Sequence, residues 1–203
     1  MRTLFLCLFF AVQAHSAVED FSGYVNSAAN SKLSMSQRWV ALIKAAKVAT
    51  ADELTQIKKF SESKEWFMRN AALVALNKVD KSAAMTEAKR LIYDRSLVVR
   101  SAAVEIISSN LSEENKNILS VEMSKAYNFH KTSSLWIRKQ IVEKLSIAAS
   151  LADRDFFVRG LFDSDKEIAK MSAKILSKIT GQPVEGAGYV EKWQAKVKQN
   201  NWL

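Results

Sequence analysis

The sequence predicts an all-α protein, an α-solenoid of about five helix pairs that ends in a single capping helix. Three observations lead to this fold class. The chain of 203 residues contains only five Gly and one Pro, whereas β-sandwiches and barrels need turns, commonly marked by these residues, every ~8–12 residues. Apolar residues recur at the spacing of amphipathic helices. A similar segment also returns at intervals of about 31 residues, as in repeat architectures.

The first 17 residues have the pattern of a secretory signal peptide. One arginine precedes an apolar run over 4–12, and Ala14 and Ala17 follow as small residues at two candidate cleavage sites. The alternative is an N-terminal helix that stays buried in the fold. Removal of residues 1–17 would also remove Cys7, the only cysteine, and lower the formal net charge from +9 to +8. We therefore expect a periplasmic or secreted protein without disulfides that does not span a membrane, because no run approaches ~20 apolar residues.

Residues 18–180 contain five copies of one segment, each recognised by an anchor position. The anchors are Arg38, Arg69, Arg100, Arg138 and Ala169. Their separations are 31, 31, 38 and 31 residues. Residues one before, three after and seven after each anchor are mostly apolar or small, which forms one stripe of an amphipathic helix. We therefore expect each anchor to lie in a helix that a neighbouring helix approaches closely.

A further helix fits between consecutive anchors. Helical spacing of apolar residues predicts helices over 51–61, 83–93, 113–127 and 151–162. Thr50 with Glu53, and Ser164 with Glu167, match capping boxes at helix starts. Polar residues suited to turns and caps stand six residues before four of the anchors: Ser63, Asp94, Thr132 and Asp163. Each unit is thus predicted as helix, short turn, helix.

This pattern resembles the HEAT family in its short bacterial form. The copy most similar to the family's second-helix signature has Asp94, Arg100, Ala103 and Ile107. The resemblance covers about residues 20–180 and implies a right-handed solenoid. It also implies that the anchor arginines pair with turn acids such as Asp94 and hold adjacent repeats together. The signatures of ankyrin and tetratricopeptide repeats are absent, and the last copy, which lacks the arginine, is interpreted as an end cap.

The chain changes in composition after residue 180. Residues 181–188 hold the only Pro and three of the five Gly, which predicts a helix stop and a loop. Tyr189, Trp193 and Val197 follow at steps of four and predict a final amphipathic helix. We expect residues 181–203 to form a loop and a helix that covers the end of the last repeat. The alternative is that its aromatic side chains form an exposed anchor for a partner.

The chain offers little for catalysis. Without residues 1–17 it has no cysteine and one histidine, His130, so it lacks the His or Cys pairs of zinc sites. It also lacks the Gly-x-Ser-x-Gly nucleophile motif and a Gly-rich phosphate-binding loop. Neighbouring acids such as Glu113 and Glu114 fit a helix start, where the helix dipole favours negative charge. We therefore expect a protein that is not an enzyme and has no cofactor and no metal.

Basic residues near the end of the array are candidate binding residues. Four lysines at steps of four predict a ridge on one helix face, opposite an apolar stripe: Lys166, Lys170, Lys174 and Lys178. Arg138 and Lys139, in the preceding copy, would extend this ridge into a basic patch. The alternatives are a solvated helix face for the lysines and an ion pair between repeats for Arg138.

The interval of 38 residues places seven extra residues around His130. Insertions in repeat arrays form loops, commonly on a functional face. His130 is interpreted either as part of a contact loop, pH-sensitive because histidine titrates near neutral pH, or as a surface residue in a tolerated insertion.

These observations favour a non-catalytic scaffold that holds a protein or peptide on its concave face, which the anchor-bearing helices line. The alternative is a polyanion-binding protein that uses the basic ridge on an anionic envelope polymer or a nucleic acid.

Overall fold

The computed structural model describes residues 20–130, 133–184 and 186–202. These residues form eleven α-helices, three short 3-10 turns and one antiparallel ladder of two-residue strands. The architecture is therefore all-helical, as the sequence predicts. The predicted signal peptide, residues 1–17, lies outside the described residues. Within the described part of the chain, no helix is long and apolar enough to cross a membrane.

Ten of the helices alternate as first and second members of five pairs. The first helices are α1 (Phe21–Ala29), α3 (Leu54–Lys59), α5 (Lys81–Leu91), α7 (Glu113–Met123) and α9 (Arg154–Gly160). The second helices, which carry the anchors, are α2 (Met35–Val48), α4 (Trp66–Val79), α6 (Leu97–Ile107), α8 (Trp136–Ile147) and α10 (Lys166–Thr180). The final helix, α11, spans Tyr189–Gln199.

The predicted first helices exist, but several of them end or begin at other residues. The 3-10 turns Phe60–Glu62, Ala126–Asn128 and Leu151–Asp153 occupy three of the predicted helix ends. The strands β1 (Phe129–His130) and β2 (Ser133–Ser134) form the short ladder between α7 and α8.

Each first helix contacts the second helix that follows it, and consecutive second helices contact one another from α2 to α10. The apolar stripe predicted on the second helices is buried. Its residues one before and three after the anchors include Met68, Ala72, Val99, Ala103, Ile137, Ile141 and Ile168, all 0% exposed. Burial of this stripe, repeated in successive pairs, forms one continuous hydrophobic core from Phe21 to Val197.

Three of the anchor arginines bind an acid in the turn of the next unit. Arg69 donates to both carboxylate oxygens of Asp94, through Nε at 2.6 Å and Nη2 at 2.7 Å. Arg138 also donates to both carboxylate oxygens of Asp163, through Nη1 and Nη2. These acids lie 25 residues after their arginines, and the expected pairing with turn acids is confirmed for both. Arg38 binds Glu65, at the end of the corresponding turn.

Arg100 departs from this pattern because Asn128 stands where an acid would be expected. Nη2 of Arg100 donates to Oδ1 of Asn128 at 3.0 Å, and Nε lies 3.4 Å from Glu122. Glu122 is 0% exposed and also accepts from the Tyr127 hydroxyl and the Asn128 amide. The carboxylate therefore comes from within α7, and the extra residues of the 38-residue interval help to cover it. Thr132, predicted at this turn, lies outside the described residues.

The helix caps follow the sequence in part. Glu53 accepts from the backbone N–H and hydroxyl of Thr50, at 2.8 and 2.9 Å, which is half of the predicted capping box. The box predicted at Ser164 is wrong, because Asp165 caps α10 instead and accepts from the N–H of Glu167 at 2.9 Å. Asp165 directly precedes the first helical residue and is thus better placed. α10 ends at Gly181, whose φ of 64° is the left-handed conformation expected there.

α11 lies against α10. Trp193 is 0% exposed, and its Nε1 donates to Oγ of Ser177 at 2.9 Å. The Trp202 ring lies 6.5 Å from that of Trp193 and 4.9 Å from the Arg154 guanidinium. The tail's tryptophans thus contact the chain itself, and Trp193 is not an exposed aromatic anchor.

α9 and α10 approach each other closely at Gly160. A Cβ at this position would lie 2.2 Å from Oγ of Ser172 and 3.1 Å from its Cβ. Ser172 is 0% exposed, and its hydroxyl has no hydrogen-bond partner among the described residues.

Gly160→Ala should therefore lower the free energy of unfolding by about 1–3 kcal/mol, because the added methyl group overpacks this contact. Ser172→Ala should leave stability unchanged or raise it, because a buried hydroxyl without a partner is unfavourable. The measurement is urea unfolding of both single variants and of the double variant. The loss from Gly160→Ala should shrink when residue 172 is alanine, and an equal loss in both backgrounds would contradict this account.

Candidate binding surface

The four predicted ridge lysines all lie on the exposed face of α10, with Ile168 and Ile175 buried on the opposite face. Lys170 is 2.9 Å from Glu167, an exposed pair one helical turn apart. This hydrogen bond lowers the pKa of Glu167 and raises the pKa of Lys170. The other three lysines form no ion pair with any described residue. Lys166, Lys174 and Lys178 therefore present charges that the described residues do not neutralise.

Lys139 extends the ridge onto α8. Its Nζ lies 4.0 Å from the carboxylate of Asp165, the N-cap of α10. The hydrogen bond from Lys170 is the largest cause of the lowered pKa of Glu167, and the charge of Lys139 also contributes to it. The charges of Lys139 and Lys170 therefore both act on Glu167, although the two lysines belong to different helices.

Arg138 is part of the fold rather than of the exposed surface. It is 3% exposed, and its guanidinium donates to Asp163, to the Ser134 hydroxyl and to the Met123 carbonyl. The ring of Phe129 lies 4.1 Å from the guanidinium carbon. A ligand would have to displace these partners, so the geometry favours the ion-pair alternative over a role in binding.

His130 is exposed and lies in β1, paired with Ser133 of β2. Within the described residues, no hydrogen bond or ion pair joins it to a ridge lysine. Asn128, two residues before it, is 0% exposed and accepts a hydrogen bond from Arg100.

Sequence reasoning missed a shallow depression between α6 and α8. It is lined by Ser101, Glu105, Trp136, Lys139, Gln140 and Glu143. Trp136 is 50% exposed, and no aromatic ring or cation of the described residues stacks on its indole. The depression shares Lys139 with the basic ridge, so the two features are continuous.

Polar contacts between α6 and α8 fix the side chains of this depression. Gln140 accepts from the Ser101 hydroxyl at 3.0 Å and donates to Glu105 at 2.7 Å. Nζ of Lys144 lies 2.6 Å from the other oxygen of Glu105. Burial by itself would raise the pKa of Glu105, but the hydrogen bonds from Lys144 and Gln140 outweigh it and lower the pKa. The carboxylate is therefore charged at neutral pH.

Exposed apolar side chains also mark the starts of other second helices. They are Met35, Trp66, Val98 and Trp136, which are 42–51% exposed. The sequence contains a signal for them, because all four stand two or three residues before an anchor arginine. Tryptophan and methionine are among the residues that are enriched at protein interfaces.

A second cavity, between α7 and α9, is lined by three acids and two basic residues: Glu113, Asp153, Asp155, Lys116 and Arg159. Nζ of Lys116 lies 2.8 Å from Asp153 and 3.1 Å from Glu113. The hydrogen bond to Asp153 raises the pKa of Lys116.

Among the described residues, no group of three or more His, Cys, Asp or Glu side chains is placed to hold a metal ion. No protein-family model matches the chain, and no curated protein is significantly similar to it.

Proposed function

We propose that the protein is a HEAT-like α-solenoid that acts as a non-catalytic scaffold and holds a protein or peptide on the surface of its second helices. The observation that carries the proposal is the unbroken series of contacts between consecutive second helices, from α2 to α10. A row of helices of this kind offers an extended binding surface. The proposal includes export of the mature chain to the periplasm or the exterior, which the signal-like residues 1–17 support.

The ion pairs of the anchor arginines support this arrangement. Each of the pairs Arg69–Asp94 and Arg138–Asp163 joins a second helix to the turn of the following unit. Trp66, Val98 and Trp136 stay exposed beside these buried pairs. Tryptophan is enriched among the residues that dominate binding energy at protein interfaces.

Polyanion binding is a second candidate function, favoured by the lack of acidic partners for Lys166, Lys174 and Lys178. Residues 166–203 carry seven lysines and three glutamates. Such a surface attracts an anionic envelope polymer or a nucleic acid. On duplex DNA, this binding would weaken by about 0.9 log unit per log unit of salt for each phosphate neutralised.

The scaffold proposal predicts site-specific crosslinks to a protein. A photo-crosslinking amino acid at position 136 should give discrete protein adducts in living cells of the source organism. The same group at position 121 should give none, because Val121 is also exposed (41%) but lies on the first helix α7. Adducts are measured by gel shift and mass spectrometry. Equal adducts at both positions, or none at position 136, would contradict the proposal.

A further inference from the structure

We propose that the surface formed by α6, α8 and α10 takes an acidic peptide segment, with an apolar side chain against Trp136 and carboxylates against Lys139 and the ridge lysines Lys170, Lys174 and Lys178. This inference rests on the proposed function, because it names the class of partner that the scaffold would hold.

The three helices present one surface. Ser101 and Glu105 of α6 contact Gln140 of α8 at 3.0 and 2.7 Å. Lys139, from the same face of α8, reaches the N-cap of α10. Lys170 and Lys174 follow on α10 at a spacing of four residues, which places them on one side of that helix. A segment that lies in the depression beside Trp136 can therefore reach the ridge lysines without leaving the surface.

The ridge has charge to offer to such a segment. Lys174 has no ion-pair partner among the described residues. The pair Lys170–Glu167 is exposed on both sides, at 50% and 55%, and exposed pairs contribute little to stability. Lys139 meets Asp165 only at 4.0 Å. Carboxylates of the peptide can thus bind these ammonium groups with little loss of existing contacts.

Trp136 supplies the apolar contact. Its indole is 50% exposed at the start of α8, and the polar bridge from Ser101 through Gln140 to Glu105 holds the neighbouring side chains in place. A large aromatic group in an ordered depression offers contact area with little further loss of conformational entropy. An apolar side chain of the partner would remove this indole from water.

The acids on the surface favour a peptide over a uniformly charged polymer. Glu105 of α6, Glu143 of α8 and Glu167 of α10 lie among the lysines of this surface. A nucleic acid or a sulfated polysaccharide carries charge at every repeat and would meet these carboxylates. A peptide can place its acids opposite the lysines and apolar residues elsewhere, so it matches both features of the surface.

The test is selection of a random sixteen-residue peptide library against the purified full chain. The enriched sequences should combine acidic residues with at least one apolar or aromatic residue. A fluorescein-labelled enriched peptide is then titrated by fluorescence anisotropy at 50 and 200 mM salt. Lys174→Glu with Lys178→Glu should weaken binding by about 30-fold, and Trp136→Ala by about 10-fold. Both variants change exposed side chains, and unchanged thermal unfolding will show that they fold.

The matched control is Lys59→Glu with Lys81→Glu, which reverses two exposed lysines on first helices that form no ion pair. It should leave binding within about 3-fold of the wild type, because the net charge changes equally but the ridge is intact. Equal weakening by both double variants would overturn the inference in favour of general charge attraction.

The remaining outcomes separate this inference from the proposed function. Enriched peptides that are not acidic, or that bind Trp136→Ala as tightly as the wild type, would overturn the inference. The proposed function as a scaffold would still stand. If no peptide is enriched, the inference fails, and the crosslinks at position 136 alone decide the proposed function. If heparin or a DNA duplex binds instead, with dependence on Lys174 and Lys178 but not on Trp136, the partner is a polymer.

Discussion

Asp94→Ala should lower the free energy of unfolding by about 3–5 kcal/mol, because it breaks a buried ion pair and leaves one charge without its partner. The side chains of Arg69 and Asp94 are 8% and 7% exposed, and two hydrogen bonds join them. The remaining partners of Arg69 are the carbonyls of Ser63 and Lys64, which cannot neutralise the guanidinium. Urea unfolding followed by circular dichroism measures the loss.

Glu65→Ala is the matched control for this substitution. Glu65 binds Arg38 with two hydrogen bonds, in the same relation between second helix and turn. Its side chain is 43% exposed, so water can solvate the guanidinium once the carboxylate is gone. We expect a loss of about 1 kcal/mol, as for exposed pairs. Losses of the same size at both positions would show that burial does not determine the strength of these pairs.

Acid should reduce the difference between the wild type and Asp94→Ala. Burial by itself would raise the pKa of Asp94, but hydrogen bonds from Arg69 and the Ser96 N–H outweigh it and lower the pKa below 3.8. A carboxyl whose pKa is lowered in the folded state stabilises the fold above its ordinary pKa, and this contribution is lost as the pH falls through the lowered value. The difference should therefore be constant near neutral pH and narrow below pH 3.8.

The regular part of the fold could be predicted because its physical causes recur in the sequence. Met68, Val99 and Ile137 each stand one residue before an anchor, and all are buried. The pairing of Arg69 with Asp94, which the resemblance to the HEAT family implied, recurs between Arg138 and Asp163 at the same spacing. In a pattern that repeats at equal intervals, side chains at equivalent positions make equivalent contacts.

The irregular part could not be predicted, because it depends on contacts that occur once. Glu122 replaces a turn acid as the partner of Arg100 only because α7 ends beside it, and the repeat pattern does not indicate this. Asp165 rather than Ser164 is the N-cap of α10, because two adjacent residues compete for one cap. Such choices depend on local geometry.

The candidate surface divides in the same way. The lysine ridge could be predicted because its spacing of four residues is a property of one helix. The depression beside Trp136 could not, because it requires α6 and α8 to lie side by side and exchange hydrogen bonds through Gln140. Arg138 was a candidate because of its charge, yet it holds the same anchor position as the buried Arg69 and shares its burial.

Trp193→Ala is the second substitution with a large expected effect, a loss of about 3–5 kcal/mol in the free energy of unfolding. The side chain is 0% exposed and contacts α10 through its hydrogen bond to Ser177. Removing it would leave a cavity between α10 and α11 and the Ser177 hydroxyl without its donor. Trp202→Ala is the control, because Trp202 is only partly buried at the edge of the same contact. Trp202→Ala should lower the free energy of unfolding by less than half as much as Trp193→Ala.

The form of the unfolding curve shows whether α11 stabilises the α9–α10 pair. If α11 adds no stability to the other helices, Trp193→Ala should detach α11 alone. The urea midpoint for unfolding of the other helices should then stay the same. If α11 covers apolar surface that the α9–α10 pair cannot leave exposed, that pair should lose stability together with it, because an end unit in a row of helices has only one neighbour. We expect the second result. Proteolysis within residues 181–188, followed over urea concentration, should then coincide with the loss of helix signal, whereas earlier cleavage would show that α11 detaches alone.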